Sequence, residues 1–360
     1  MSDVLRAGLT PVAEAKSQVE AWMLAEKRAL YGLSFSRILV GTALLGILVT
    51  NFGMRHATWG HGSSWIEPHR ARAAFGELHE VFTVGGPAVF TAMYLALAAV
   101  ACGVILGWRT RLSVLVLAVG MTALVERNGF VGDQGDNIAR IGLVLMLFMN
   151  VSEHWSLDAR RRRRATADGA PPTSVPRRLL AGLPVLPAWM TNLLHNSALI
   201  ALALQLFTLY IASAMFKIQG EVWQDGTALY YPLSIPEFSV LPVLNSVMTT
   251  NAVMVTVATY FAVYVQLFFP ALLLNAVTRR IALLGIIAMH VGIAVLMGLP
   301  WFSLSMIAFD AIFVSRRTFV ALERLVLRVV TSLRLRLSTR RTRVGGAGRA
   351  PRPAAVDAAG

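Results

Sequence analysis

Cysteine, lysine and charge in general are scarce in this 360-residue chain. Cys102 is its one cysteine and lies within an apolar run, which excludes an internal disulfide, a dithiol redox pair and a cysteine-rich metal site. Charged residues make up 14% and hydrophobic ones 56%, whereas an ordinary soluble domain carries about 25% charged residues. The basic excess, net charge +14, is compatible with nucleic acid. However, the arginines cluster beside apolar runs, where topology signals and anionic headgroups place them, so nucleic-acid binding is not expected. The N-terminus has no basic stretch leading into an apolar region and a small-residue cleavage site, so no cleaved signal peptide is expected. Short-period repeats are absent, as is the pair of broken spans that marks many transporters.

What the chain does contain is a series of apolar runs of ~17–25 residues, the length that crosses a bilayer. They predict an all-α, multi-pass membrane bundle of about eight spans: Leu33–Phe52, Pro87–Leu106, Leu112–Val125, Ile138–Val151, Leu193–Phe216, Ala252–Leu274, Ile281–Leu296 and Phe302–Val314. With the N-terminus in the cytoplasm, Arg109 and Arg111, the Arg160–Arg164 cluster with Arg177 and Arg178, Arg279 and Arg280, and the arginine-rich tail all fall inside. Eight spans with both termini cytoplasmic therefore satisfy the positive-inside rule, and the expected location is the cell membrane. The outer loops are then 53–86, 127–137, 217–249 and 297–301. Residues 1–30 read as an amphipathic segment on the bilayer surface, and 155–192 as a basic cytoplasmic linker. Residues 316–343 interleave arginine with leucine and valine as a basic interfacial helix does. The Gly/Ala/Pro-rich 344–360 is expected to be disordered.

Lysine is the scarcity that points to chemistry. Only Lys16, Lys27 and Lys217 occur among 33 basic residues, and Lys217 ends a hydrophobic span. Lysine, unlike arginine, can lose its proton when desolvated and so act as a base or nucleophile. Helical spacing puts Tyr210, Ser213, Ala214 and Lys217 on one face. The plainer reading is a snorkelling lysine that marks the end of the span. His290 and Gln266 stand near the middle of their spans, where polar groups are costly and either functional or hydrogen-bonded between helices. Asp310, near the inner end of the last span, reads as an ion-pair partner of Arg316 or Arg317. The loop Glu126–Asn137 offers Asp133, Asp136 and Asn137 as oxygen ligands for a hard cation, in no EF-hand spacing; Asp136 or Asn137 would equally cap the fourth span. Asp225, beside Gly226, has the same two readings. His56, His61, His69 and His79 match no standard zinc spacing, so no metal is expected.

Four stretches carry a family resemblance. They are RILVGTALLGILVTNFGMRHATWGHGS, NGFVGDQGDNIARIGLVLMLF, YIASAMFKIQGEVWQDGTALYYPL and AMHVGIAVLMGLPWFSLSMIAFD. Together they resemble successive blocks of the HTTM (horizontally transferred transmembrane) domain, related to vitamin K-dependent γ-carboxylase and to the SdpB-type membrane proteins of bacterial toxin maturation. The similarity covers roughly residues 30–315, so 31–315 reads as an HTTM-like domain. In γ-carboxylase a membrane lysine deprotonates a reduced quinone, whose reaction with oxygen yields a base that takes a glutamate γ-proton. The resemblance implies that Lys217 is the base, that His290 orients a substrate oxygen, and that the cofactor is a menaquinol-type reduced quinone. Tyr210, Trp223, Asp225, Asp133, Asp136, Asn137 and Gln266 then surround a substrate or cofactor. Two departures matter: glutamine replaces the family's common glutamate at 266, and no β-rich substrate-recognition region follows the last span. A carboxylase-like, quinol-dependent enzyme is one expectation. A non-catalytic accessory protein for maturation or export of a small peptide or lipid is the other.

Overall fold

The computed structural model describes residues 14–61, 78–167, 174–181 and 183–346, and every regular element among them is helical. Eight helices correspond to the expected spans: α1 Leu30–Thr50, α2 Pro87–Leu106, α3 Thr110–Val125, α4 Gln134–Met146, α5 Ala188–Ile218, α6 Ala252–Leu272, α7 Ala276–Leu296 and α8 Pro300–Asp310. Five of them, α1, α2, α5, α6 and α7, are long and apolar enough to cross a membrane. α3, and α8 with its 3-10 extension to Phe313, are shorter apolar helices. α4 has 13 residues and includes Asp136 and Arg140, so at 1.5 Å per residue it spans only ~20 Å. The fourth run thus starts earlier and ends earlier than its hydropathy suggests. The cause is the cap at Asp133, which sets the start of the helix one turn before the apolar run.

Within residues 1–314, α1 packs against α2 and α8, α2 against α3, and α3 against α4. α5, α6 and α7 form a second group, which α8 joins to the first by touching α1, α4, α5 and α7. Small residues allow these close approaches, as between membrane helices generally. A Cβ on Gly142 of α4 would overlap the Phe309 ring, and one on Gly46 of α1 would overlap the Trp301 ring. Gly142→Ala is therefore expected to cost about 1–3 kcal/mol of stability, read as a lowered unfolding midpoint in detergent. An unchanged midpoint would show that Phe309 can swing aside.

Polar side chains tie the connecting segments to this frame. Arg37 of α1, fully buried, donates to the carbonyls of Val104 (2.5 Å), Ile105 (2.7 Å), Val151 (3.0 Å) and Trp155 (3.0 Å). Asp158 accepts from the Arg109 and Thr110 amides at 3.0 and 2.8 Å and from the Thr110 hydroxyl at 2.8 Å. An anion thus sits on the amide end of α3, where the helix dipole favours it. This anchors the helix Leu157–Ala167 that carries the Arg160–Arg164 cluster. The linker expected over 155–192 therefore holds two helices, this one and Val175–Ala181, before α5 begins.

The amphipathic segment at the N-terminus is helical over 14–24. Asn192 and Asn196 of α5 donate to main-chain carbonyls between Trp22 and Glu26. Beside them His195 accepts from the Asn150 amide at 2.9 Å and meets the Arg28 carbonyl at 2.8 Å. Residues 315–360 form a separate unit, whose described part is the helix Arg316–Gly346. That helix runs three residues into the stretch expected to be disordered; residues 347–360 lie outside the described residues. In its first turns Arg317, Arg324 and Arg328 share one face, while Leu322, Leu325, Val326 and Val329, all exposed, occupy the other.

Candidate functional site

The last turns of α5, the middle of α6, the second half of α7 and α8 line a partly open cavity of about 820 Å³. That volume lies within the ~300–1,000 Å³ range of small-molecule sites. Its walls are chiefly apolar, with Leu209, Phe216, Phe261, Met289, Ile293 and Phe302 among them, and the segment after α5 contributes Trp223 and Leu229. Seven polar side chains interrupt this lining: Gln134, Gln205, Thr208, Ser213, Lys217, Gln266 and His290. An apolar chamber with a few convergent polar groups is the usual form of a cofactor or substrate site.

Lys217 lines this chamber. Its Nζ donates to Ser213 Oγ at 3.0 Å and to the Gln266 amide oxygen, and it lies 5.3 Å from the centre of the Trp223 ring. Ser213 in turn donates to Gln266 Oε1 at 3.3 Å. The spacing from Ser213 to Lys217 is one helical turn, which brings their side chains together. Gln266 arrives from α6, which packs against α5. Among the described residues no carboxylate lies within ion-pair distance of Lys217. Both its hydrogen-bonding partners are neutral, and Trp223 offers the face of an aromatic ring. The tertiary structure therefore places the lysine in a chamber wall, with two partners that a freely snorkelling side chain would lack.

Behind the wall lies a second polar cluster. Tyr210, two turns before Lys217 on α5, is fully buried; its hydroxyl donates to Asp310 Oδ2 at 2.9 Å and lies 3.4 Å from His290 Nε2. Asp310 and His290 are each 1% exposed. Asp310 thus takes Tyr210 as its partner rather than the arginines expected from sequence, because α8 turns the carboxylate towards α5. Aromatic rings enclose the cluster: Phe269 meets Tyr210 edge-on with centroids 5.1 Å apart, and Phe302 lies 5.9 Å from His290.

The other candidates do not join this site. Asp133 and Asp136 form a reciprocal capping box at the start of α4: Asp136 N–H donates to Asp133 Oδ1, and Asp133 N–H donates to Asp136 Oδ2, both at 3.1 Å. The cap residue is Asp133, whereas the sequence pointed to Asp136 or Asn137, because the helix begins a turn earlier than the apolar run. Asn137 accepts from Arg140, which also pairs with Glu126 at 2.6 Å. Asp225 is exposed at the end of the short helix Glu221–Gln224 and does not line the cavity. His56 contacts Thr91, and His69 and the His79 side chain lie outside the described residues. Among the described residues no group of three or more His, Cys, Asp or Glu is placed to hold a metal.

Of the expected set, the fold brings Lys217, Gln266, Trp223 and His290 to one cavity and holds Tyr210 behind it. Sequence reading missed Gln134, Phe302 and the partnership of Asp310 with Tyr210. The one signal for the last was a carboxylate in an apolar helix. No protein-family model, curated protein or solved structure matches the chain.

Proposed function

We propose that this chain is an HTTM-type enzyme of the cell membrane with eight spans and both termini cytoplasmic. In this reading its chamber binds a reduced quinone, and Lys217 takes a proton from the ring hydroxyl. The observation that carries it is the inward placement of Lys217, held by Ser213 and Gln266 in an apolar cavity of about 820 Å³. The lining suits a fused aromatic ring with an apolar tail: Trp223, Phe216, Phe261 and Phe302 supply flat or broad apolar surface, and the polar groups are few. A reduced quinone, when bound, supplies two acidic hydroxyls and a pair of electrons. Ser213 and Gln266 orient the lysine nitrogen, and with no carboxylate paired to it among the described residues that nitrogen is available to a ligand proton.

The protein purified in mild detergent is expected to carry menaquinone, and added menaquinol is expected to support oxygen uptake that depends on Lys217. Purified protein devoid of quinone and unresponsive to menaquinol would overturn this reading. A small peptide or lipid co-purifying instead would favour the accessory role. The topology has its own check. In a Cys102→Ser background, Thr227→Cys is expected to react with a membrane-impermeant maleimide in intact cells, and Ser174→Cys only after lysis. Labelling of both before lysis would refute the eight-span arrangement.

A further inference from the structure

The cluster behind the chamber has a direction. A tyrosine hydroxyl has one proton to donate, and the contact to Asp310 is 2.9 Å against 3.4 Å to His290. With Asp310 ionised its oxygens can only accept, so the tyrosine proton goes to the carboxylate and towards His290 the Tyr210 oxygen acts as an acceptor. His290 Nε2 must then carry hydrogen, which leaves Nδ1 as a bare lone pair. That atom is buried and has no hydrogen-bond partner among the described residues, and the same is true of Asp310 Oδ1. An unmet acceptor inside a protein costs about 1–3 kcal/mol, so a native structure that keeps one usually has a use or a water for it.

We infer that Asp310, acting through Tyr210, is a positioning residue: it fixes His290 as the Nε2–H tautomer and leaves Nδ1, a buried atom of a residue that lines the chamber, as the acceptor for one hydroxyl of water or of a ligand. The chain Asp310–Tyr210–His290 draws on three helices, α8, α5 and α7, so the orientation of the imidazole is set by the packing of the bundle. Removal of the carboxylate frees the tyrosine proton to turn towards Nε2, which then becomes the acceptor and drives the hydrogen to Nδ1. A histidine whose other nitrogen is oriented by a carboxylate is a common way of fixing a tautomer. Here a tyrosine stands between the two groups.

The tautomer is independent of what the chamber binds; only its effect on turnover rests on the proposed quinol chemistry. The experiment is nitrogen-15 NMR of protein labelled at histidine in nanodiscs, with the His290 signals assigned by their loss in His290→Gln. The wild type is expected to show the Nε2–H tautomer. Asp310→Leu, which leaves no acceptor for the tyrosine hydroxyl, is expected to shift the population towards Nδ1–H, and Tyr210→Phe to give a mixture. An Nδ1–H tautomer in the wild type, or an unchanged tautomer in both variants, overturns the inference. Should Asp310→Leu fail to fold, Tyr210→Phe carries the test alone, since it removes one hydroxyl and keeps the ring against Phe269. Menaquinol-dependent oxygen uptake is expected to fall about 10-fold or more in the same variants. A shifted tautomer with no oxygen uptake in the wild type would leave the positioning role standing and remove the quinol reading.

Discussion

Lys217→Arg is expected to lower menaquinol-dependent oxygen uptake by ~10²–10⁴-fold, the contribution of a positioned acid–base group. Arginine keeps the positive charge and much of the stem but does not give up its proton at any working pH, so the loss would report proton transfer and not charge. Quinone content serves as the control. Binding should survive, because the apolar walls that hold the ring are untouched. Equal oxygen uptake by the variant and the wild type would remove Lys217 from the reaction. A companion variant tests the neutrality of the site. Gln266→Glu puts a carboxylate where the amide oxygen now meets Nζ, and an opposite charge at that distance holds an amine in its charged form. The expected result is again a large loss of turnover with quinone still bound, whereas the uncharged Gln266→Met is expected to lose far less. Activity raised by Gln266→Glu would show that the glutamine marks a departure from the chemistry and does not tune it.

Arg37→Met is expected to destabilise the fold more than Gly142→Ala does. The guanidinium is fully buried and serves four carbonyls. One of these, Ile105, is at the end of α2, where helix carbonyls have no partner of their own, while Val104 beside it also accepts from the Gly107 amide at 3.1 Å. Methionine fills part of the volume and donates nothing. Two stranded carbonyls already come to about 2–6 kcal/mol, a large part of the ~5–15 kcal/mol that holds a typical domain together. Thermal unfolding of the purified protein in detergent should show it, with low yield in membranes as the corollary. Arg37→Lys is expected to fall between Arg37→Met and the wild type, because an ammonium has three donors on one atom and cannot reach carbonyls spread over a guanidinium fork. Wild-type stability in Arg37→Met would mean that water or a rearranged loop takes over the carbonyls.

Other parts of the molecule were legible in the chain itself. The apolar runs foretold the all-helical class and the order of the helices, since in lipid a chain has few other ways to satisfy its backbone. Five of the runs became helices of spanning length. The boundaries moved where a cap overruled hydropathy, most clearly at Asp133. The side-by-side placement of Tyr210, Ser213 and Lys217 was also legible, because the period of one helix determines it. Arg37 was not. Its four acceptors lie 67 to 118 residues away, and in sequence it is only a charge in an apolar run.

Lysine scarcity singled out Lys217, and the sequence by itself determined its helix, its neighbours at one-turn spacing and its position at the end of an apolar segment. Whether the side chain turned outward to the headgroups or inward was open, because both orientations satisfy the same periodicity. That was decided by tertiary structure alone. α6 brings Gln266 to the nitrogen, Trp223 folds back over it, and α7 and α8 complete an apolar wall. The residues that share this cavity with Lys217 lie up to 89 positions away, as Met306 does. Contacts over such separations depend on how helices pack, and no local pattern in the chain encodes that packing.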